Sequence, residues 1–528
     1  MRKVTIDGNS LTPSEVAEVA LSGARVETAP GVTRKLSGGR AYVERLLAQD
    51  SIVYGVTTGF GKFSEVRIGS EESLELQRNL VRSHCCGLGE PLSAESTRAA
   101  MLLRANVLAK GFSGVRPVVL ETLVELLNKG VLPVIPAKGS VGASGDLAPL
   151  AHLTAVLIGE GEAVYGGERM PGARALAECG VMPVTLEAKE GLALINGTQI
   201  MTAQGVLALR LAELTAKAAD VAGAMSLEAL RGTDAPYRSL THDVRPHPGQ
   251  QATARNMLTL LAGSEVLPSH GSVASDHKVQ DSYSLRCVPQ VHGAAKDALA
   301  FARRVLEVEI NSATDNPLIF VDEDEVISGG NFHGQPVAQA LDLMAIGLTY
   351  LAGISERRVE YMLDPATSDH LPPFLTLKGG LNSGLMIAQV AAAALVSENK
   401  VLAHPACVDS IPTSANKEDY VSMGAHAARK AMEVAENACR VVAIELLCAA
   451  QALEFRRGLR PGRGVEVAHK FIRNHVEPLE EDRPLSPDME AVYRLVSSGG
   501  LIQAVEELVG LLEPAETWPI ASMPDTTR

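Results

Sequence analysis

The feature that most limits what this chain can fold into is a series of long alanine- and leucine-rich segments. They run roughly over 200–231, 290–312, 335–364, 384–403 and 425–457. The last has no Gly or Pro over some thirty residues, so as one helix it spans about 45 Å at 1.5 Å per residue. Helices of that length bury themselves against one another. With only 4% aromatic residues, small side chains must do much of the packing, which lets helices approach closely. The fold expected is mainly α: residues 1–200 form an N-terminal domain, continuous with a long-helix bundle and C-terminal helices over 201–528.

Charge and cysteine usage narrow the function classes. A formal net charge of −14 and a pI near 5.5 repel phosphate backbones and anionic membranes, so neither nucleic acid nor membrane is an expected partner. The seven cysteines are odd in number, scattered and without a C-x-x-C pair, which fits a reducing cytoplasm. The N-terminus shows no apolar signal region, and the longest apolar run, Leu385 to Val396, is short and broken by Gln389.

The N-terminal part is mixed. Lys3–Ile6 reads as a strand, Asp7-Gly8 as a turn, and Thr12-Pro-Ser-Glu15 as a capping box with Pro13 just inside the helix. Tyr54-Gly-Val-Thr-Thr-Gly-Phe-Gly-Lys62 is a near-miss for a phosphate loop, since Val56 and Phe63 stand where Gly and Ser or Thr are needed. It reads instead as a mobile loop presenting Tyr54. His84-Cys85-Cys86 lacks the spacing of a metal site, and no metal is expected. Residues 95–130 read as two helices, 131–138 as an extended run held open by its prolines, and 147–158 as a short helix.

That extended run delivers Gly139-Ser-Val-Gly-Ala-Ser-Gly-Asp-Leu147. Three glycines in seven residues allow a very tight backbone. Within it, Ala143-Ser144-Gly145 has the composition for backbone cyclisation. The Gly145 nitrogen attacks the Ala143 carbonyl, and loss of two waters turns Ser144 into an exocyclic methylidene. The competing reading makes Ser144 or Asp146 an ordinary N-cap of the helix that follows. Further polar strings lie between the long helices: Gly191–Gln199, Val279–Arg286, Asn311–Pro317, Ser328–Gly334 and Asn416–Met423. Gln280, Tyr283 and Arg286, three apart, would share one helix face. Several such strings in one helical chain argue for a common polar pocket.

These strings, in this order, resemble the histidine and phenylalanine ammonia-lyase family over roughly residues 50–457. The resemblance implies that Ala143, Ser144 and Gly145 mature into a 4-methylidene-imidazol-5-one with no external cofactor. It implies that Tyr54 is the loop base, that Asn196 holds the amine region, and that Arg286 pairs with the substrate carboxylate, a role its planar fork suits. Gln280, Tyr283 and Phe332 match further pocket positions. The family's sites are shared within a homotetramer. Ser83-His84 and Glu418 resemble the members acting on histidine: Glu418 can accept from an imidazole N–H while His84 serves the other ring nitrogen. The implied reaction is elimination of ammonia from L-histidine to give trans-urocanate, with Tyr54 as base and Glu418 and Tyr283 as rivals. A tyrosine or phenylalanine lyase, a 2,3-aminomutase, and an uncyclised helical binding protein stay open as alternatives. Lys417, Tyr420 and Cys85-Cys86 depart from the histidine pattern, Lys417 most of all, because a cation beside Glu418 would neutralise it.

Overall fold

The computed structural model describes residues 3–49, 51–59, 61–63, 65–69, 72–270, 279–456 and 458–514. Five long helices stand at Gln199–Ala229, Val288–Glu309, Gln335–Leu363, Met386–Leu402 and Gly424–Glu454, within three residues of the segments read from sequence. Their ends are set by local signals, chiefly a glycine or proline close to where each begins or stops. Sheet is sparse. The Lys3–Ile6 and Arg25–Thr28 strands pair in parallel, Leu132–Pro133, Glu162–Tyr165 and Glu168–Pro171 form a small antiparallel sheet, and Leu318–Phe320 pairs with Glu325–Ile327 as a hairpin. The first helix, Pro13–Ser22, carries the expected capping box: Thr12 Oγ1 accepts from the Glu15 amide and Glu15 returns a bond to the Thr12 amide.

The chain divides into two units. The first comprises 1–207, 303–342 and 405–432; the second comprises 208–302, 343–404 and 433–528. Where the sequence suggests one cut near residue 200, two later segments return to the first unit. Those segments carry the Asn311–Pro317, Ser328–Gly334 and Asn416–Met423 strings.

In the first unit the Ala94–Ala109 helix is buried almost throughout. The Ser73–His84 helix is tied to Glu190–Ile195 by the Gln77 side chain, whose Oε1 accepts from the Gly191 and Leu192 amides at 2.9 and 3.3 Å.

The second unit is held by a buried polar network across four of the long helices. Glu445 accepts both forks of the Arg358 guanidinium at 2.5 and 2.8 Å, and also the Ser226 and Ser355 hydroxyls. Arg358 donates to His292 Nε2, His292 Nδ1 donates to Asp220, and Lys296 pairs with Asp220 at 2.5 Å. Burial keeps His292 below its usual range, consistent with a neutral ring that accepts on one nitrogen and donates on the other. Gly249 and Gly293 meet backbone to backbone, and a Cβ on either would overlap the other's main chain. By length and composition Gln335–Leu363 is apolar enough to cross a bilayer, but 61% of its most apolar window is buried within the protein and it carries Arg358, which marks it as a core helix.

At the end of Gln199–Ala229, Glu228 accepts from the Gly462 amide through both oxygens, at 2.9 and 3.1 Å. Burial pushes this carboxyl up to about 7. A carboxyl that binds its proton more tightly when folded stabilises fully below the unfolded value of 4.5 and loses that contribution as pH rises through about 7. The unfolding midpoint is therefore expected to fall between about pH 5 and 8, and to fall less in Glu228→Gln, read by denaturant titration at several pH values.

Candidate active site

The Pro136–Lys138 strand pairs with Leu88–Pro91, just past the end of the Ser73–His84 helix, and so sets Gly139 against Cys86 and Gly87. The loop that follows is tightly wound, with positive φ at Gly142, Ser144 and Gly145 (81°, 48° and 81°). Gly145 runs as a bridge beside Gly197. The Asp146 amide donates to the Gly197 carbonyl at 2.7 Å, and the Gly197 amide donates to the Ser144 carbonyl at 3.2 Å. A Cβ at Gly145 would overlap the Gly197 carbonyl, and one at Gly142 would overlap the Ser422 hydroxyl. Both positions require glycine for space as well as for φ.

The N-cap reading of this loop does not hold. The residue before the Ala148–Leu157 helix is Leu147, at φ 39°, and no side chain caps that helix. The Asp146 carboxylate instead accepts from the Ile200 and Met201 amides at 2.7 and 3.4 Å, at the start of a helix more than fifty residues on. It is fully buried, and burial pushes it up to about 7 against the pull of those amides and of Arg104.

Asn196 sits at the exit of Glu190–Ile195, 2% exposed. Its Nδ2 donates to Asp315 Oδ1 and to the Asn316 carbonyl, both at 3.2 Å. Buried Arg104 donates to the Ala193 and Asn196 carbonyls at 2.5 and 2.9 Å and also to Gln199, which in turn donates to Thr314. Asp315 Oδ2 is bound by Lys189 Nζ at 2.6 Å, with both side chains wholly buried. Three atoms around this bridge lack partners among the described residues: Asn196 Oδ1, Asp146 Oδ1 and Arg104 Nε. Orphaned buried polar atoms concentrated at one turn mark a place built to receive something.

Glu418 reaches the loop directly. Its Oε1 lies 3.4 Å from Ser144 Oγ, while Oε2 accepts from Thr413 Oγ1 at 2.8 Å. The Glu418 backbone pairs with Thr413, so side chain and main chain are held together. Met423 N donates to the Val141 carbonyl. Ser422 crowds against Gly142, Gly334 and Gly424, and Met201 against the last two, so the Gly191–Gln199 and Asn416–Met423 strings meet the loop while Asn311–Pro317 and Ser328–Gly334 pack behind them. Lys417, which threatened to neutralise Glu418, makes its described ion pair with Glu65 instead, at 3.8 Å. Tyr420 stacks on His333.

Tyr54 OH accepts from the Gly61 amide at 3.4 Å; Phe60 of that string lies outside the described residues. Burial raises the Tyr54 pKa and the charge of Glu418 raises it further, against the opposing effect of the Gly61 amide. His84 Nδ1 lies 2.8 Å from the Leu80 carbonyl in its own helix. A carbonyl can only accept, so Nδ1 carries the proton and a neutral ring keeps Nε2 as an acceptor. Phe332 is half-buried in the loop that ends at Gly334.

Gln280, Tyr283 and Arg286 belong to the second unit. They do not share one helix face. The helix is only Tyr283–Arg286, because Ser282 is extended as its N-cap (φ −61°, ψ 160°), and Gln280 falls outside it. The Arg286 guanidinium covers the Tyr283 ring at 4.6 Å, and its Nε has no partner among the described residues.

The family model for aromatic amino acid lyases matches residues 11–474. The chain belongs to the aromatic amino acid lyase family. This lyase is 56% identical to a histidine ammonia-lyase of Gloeobacter violaceus, over 97% of this chain and 99% of the relative. It is 53% identical to one of Alkaliphilus metalliredigens, over 97% and 100%. Among solved structures it resembles histidine ammonia-lyase from Trypanosoma cruzi, with 43% identity, TM-score 0.89 and 98% and 96% of the two chains covered. It also resembles a tyrosine aminomutase from Streptomyces globisporus, with 38% identity, TM-score 0.91 and coverage of 97% and 100%.

Several residues that shape the site of this lyase carry no obvious mark in sequence. Arg104 is the one with a usable signal, an arginine inside the apolar run Ala99–Ala109, which is otherwise broken only by Asn106. Lys189 and Asp315 read as parts of loop strings, and Thr413 as an ordinary turn residue. Their roles come from pairing with residues some ninety or more positions away, Thr413 excepted.

Proposed function

We propose that this lyase eliminates ammonia from L-histidine to give trans-urocanate, in a reducing cytoplasm and as a homotetramer whose sites draw on more than one subunit. The observation that carries the substrate is Glu418, anchored by Thr413 and beside Ser144. It presents a carboxylate to a ring N–H, with His84 Nε2 as a second acceptor. A benzene ring would offer neither group a hydrogen bond, at a cost of about 1–3 kcal/mol for each acceptor that it cuts off from water. The high identity to histidine ammonia-lyases supports the same reading.

Ala143, Ser144 and Gly145 fit the backbone ring: no side chain is possible at Gly145, and the orphaned Asn196 oxygen lies in the same bridge region. Once formed, the methylidene-imidazolone supplies an electrophilic carbon, which no ordinary side chain offers. The rest falls to the chain's own residues. Asn196 Oδ1 accepts from the substrate amine. Arg286 takes the carboxylate bidentately, with Tyr283, Gln280 and Phe332 as further pocket groups.

Tyr54 removes the β-proton. Its raised pKa works against the phenolate, but an imidazolium paired to Glu418 cancels the charge that adds to burial in holding it up. This assignment predicts a rate that climbs about tenfold per pH unit into the alkaline range and is lost in Tyr54→Phe. A profile that levels off near neutrality and survives Tyr54→Phe would transfer the role to Glu418. The substrate is tested by following ultraviolet absorbance with L-histidine, L-tyrosine and L-phenylalanine supplied separately. Urocanate from histidine alone supports the reading, a coumarate or cinnamate signal overturns it, and a β-amino acid product identifies an aminomutase.

A further inference from the structure

Among the described residues the Lys189–Asp315 ion pair is the best-buried charge pair in the first unit, both side chains at 0% exposure and 2.6 Å apart. Nothing in the reaction above uses it. Its contacts lead in one direction. Lys189 binds Asp315 Oδ2; Asp315 Oδ1 accepts from the Asn316 amide at 2.7 Å and from Asn196 Nδ2 at 3.2 Å. The second proton of Asn196 Nδ2 goes to the Asn316 carbonyl. Two acceptors facing one amide end leave a single sensible orientation, since the flipped amide would set its oxygen against both.

We propose that Lys189 and Asp315 are positioning residues that fix the orientation of Asn196, so that the atom it offers toward a ligand is an acceptor. Both N–H groups are spent inside the protein, and only Oδ1, buried and without a partner among the described residues, is left. An acceptor suits an ammonium or amine hydrogen and rejects a carbonyl or carboxylate oxygen. Lys189 Nζ donates to Asp315 Oδ2 and so leaves Oδ1 to accept from the Asn316 amide and from Asn196 Nδ2. This rests on the elimination reading, in which Asn196 meets the substrate amine.

Two variants, each free of an unpaired buried charge, separate positioning from packing. Lys189→Met with Asp315→Leu removes the acceptor for Asn196. Lys189→Met with Asp315→Asn restores it, because the amide oxygen turns to the two donors and the NH2 faces the methionine. Both should keep the two-water mass deficit of the ring. The first is expected to lose about 100-fold in kcat with little change in KM, to match Asn196→Ala, and to lose nothing more when Asn196→Ala is added. The second should stay close to the parent rate. Equal rates in the two variants, or losses that multiply with Asn196→Ala, would overturn the proposal. Neutron diffraction of the unaltered protein tests it without any variant: deuterons on Asn196 Nδ2 facing Asp315 and the Asn316 carbonyl support it, and the reverse orientation overturns it. A parent that leaves L-histidine unchanged would instead count against the elimination reading, and the neutron result would still decide how Asn196 is held.

Discussion

Ser144→Ala is expected to give a folded protein with the full mass of its sequence and activity down by at least about 10³-fold, equivalent to some 4 kcal/mol of barrier. The unaltered protein should be lighter than its sequence by two waters. Only a serine at this position carries the β-oxygen whose loss creates the methylidene. Alanine keeps the backbone geometry and removes that chemistry. The fold should hardly register the change. Ser144 is half-buried, and the one side-chain hydrogen bond described for it is the long contact to Glu418, worth about 1 kcal/mol. Gly145→Ala provides the contrast, since its methyl would overlap the Gly197 carbonyl. That substitution should damage the loop itself and lower stability as well as activity. Intact mass, a denaturant midpoint and turnover together separate the cases. An unaltered protein of full sequence mass would mean that no ring forms and would revive the non-enzymatic reading.

The largest effect on stability is expected at Arg358. Arg358→Met leaves the Glu445 carboxylate buried at 0% exposure, with only the Ser226 and Ser355 hydroxyls as described donors. Breaking a buried pair from one side costs about 3–5 kcal/mol, whereas replacing both charges with apolar groups is often neutral. Arg358→Met should therefore lower the denaturant midpoint strongly, and Arg358→Met with Glu445→Met should recover most of the loss. If the single and double variants unfold at the same midpoint, the network is not what holds these four helices together.

Most of the fold was legible in the chain. The five long helices follow from apolar content and from where glycine and proline fall, because helix limits are decided by neighbours in sequence. The capping box at Thr12 and Glu15 is local in the same way. The short helix at Tyr283–Arg286 shows the limit of that logic. A three-residue spacing places side chains on one face only if the helix extends far enough, and the extended backbone at Ser282 stops it before Gln280. Asp146 fails for a related reason: the sequence offers a helix immediately after it, but the buried carboxylate is taken by the amides of Ile200 and Met201.

By itself the sequence determined the mainly helical architecture, the cyclisable tripeptide and the kinship with aromatic amino acid lyases, all carried by contiguous strings of residues. Only the tertiary structure decided that Lys417 faces Glu65 and leaves Glu418 free to meet Ser144. It alone paired Lys189 with Asp315 and Asp315 with Asn196. Such partners lie over a hundred residues apart, and a buried charge or amide must take whatever donor or acceptor the packing brings within about 3 Å, since leaving it unpaired costs more than any local preference can return.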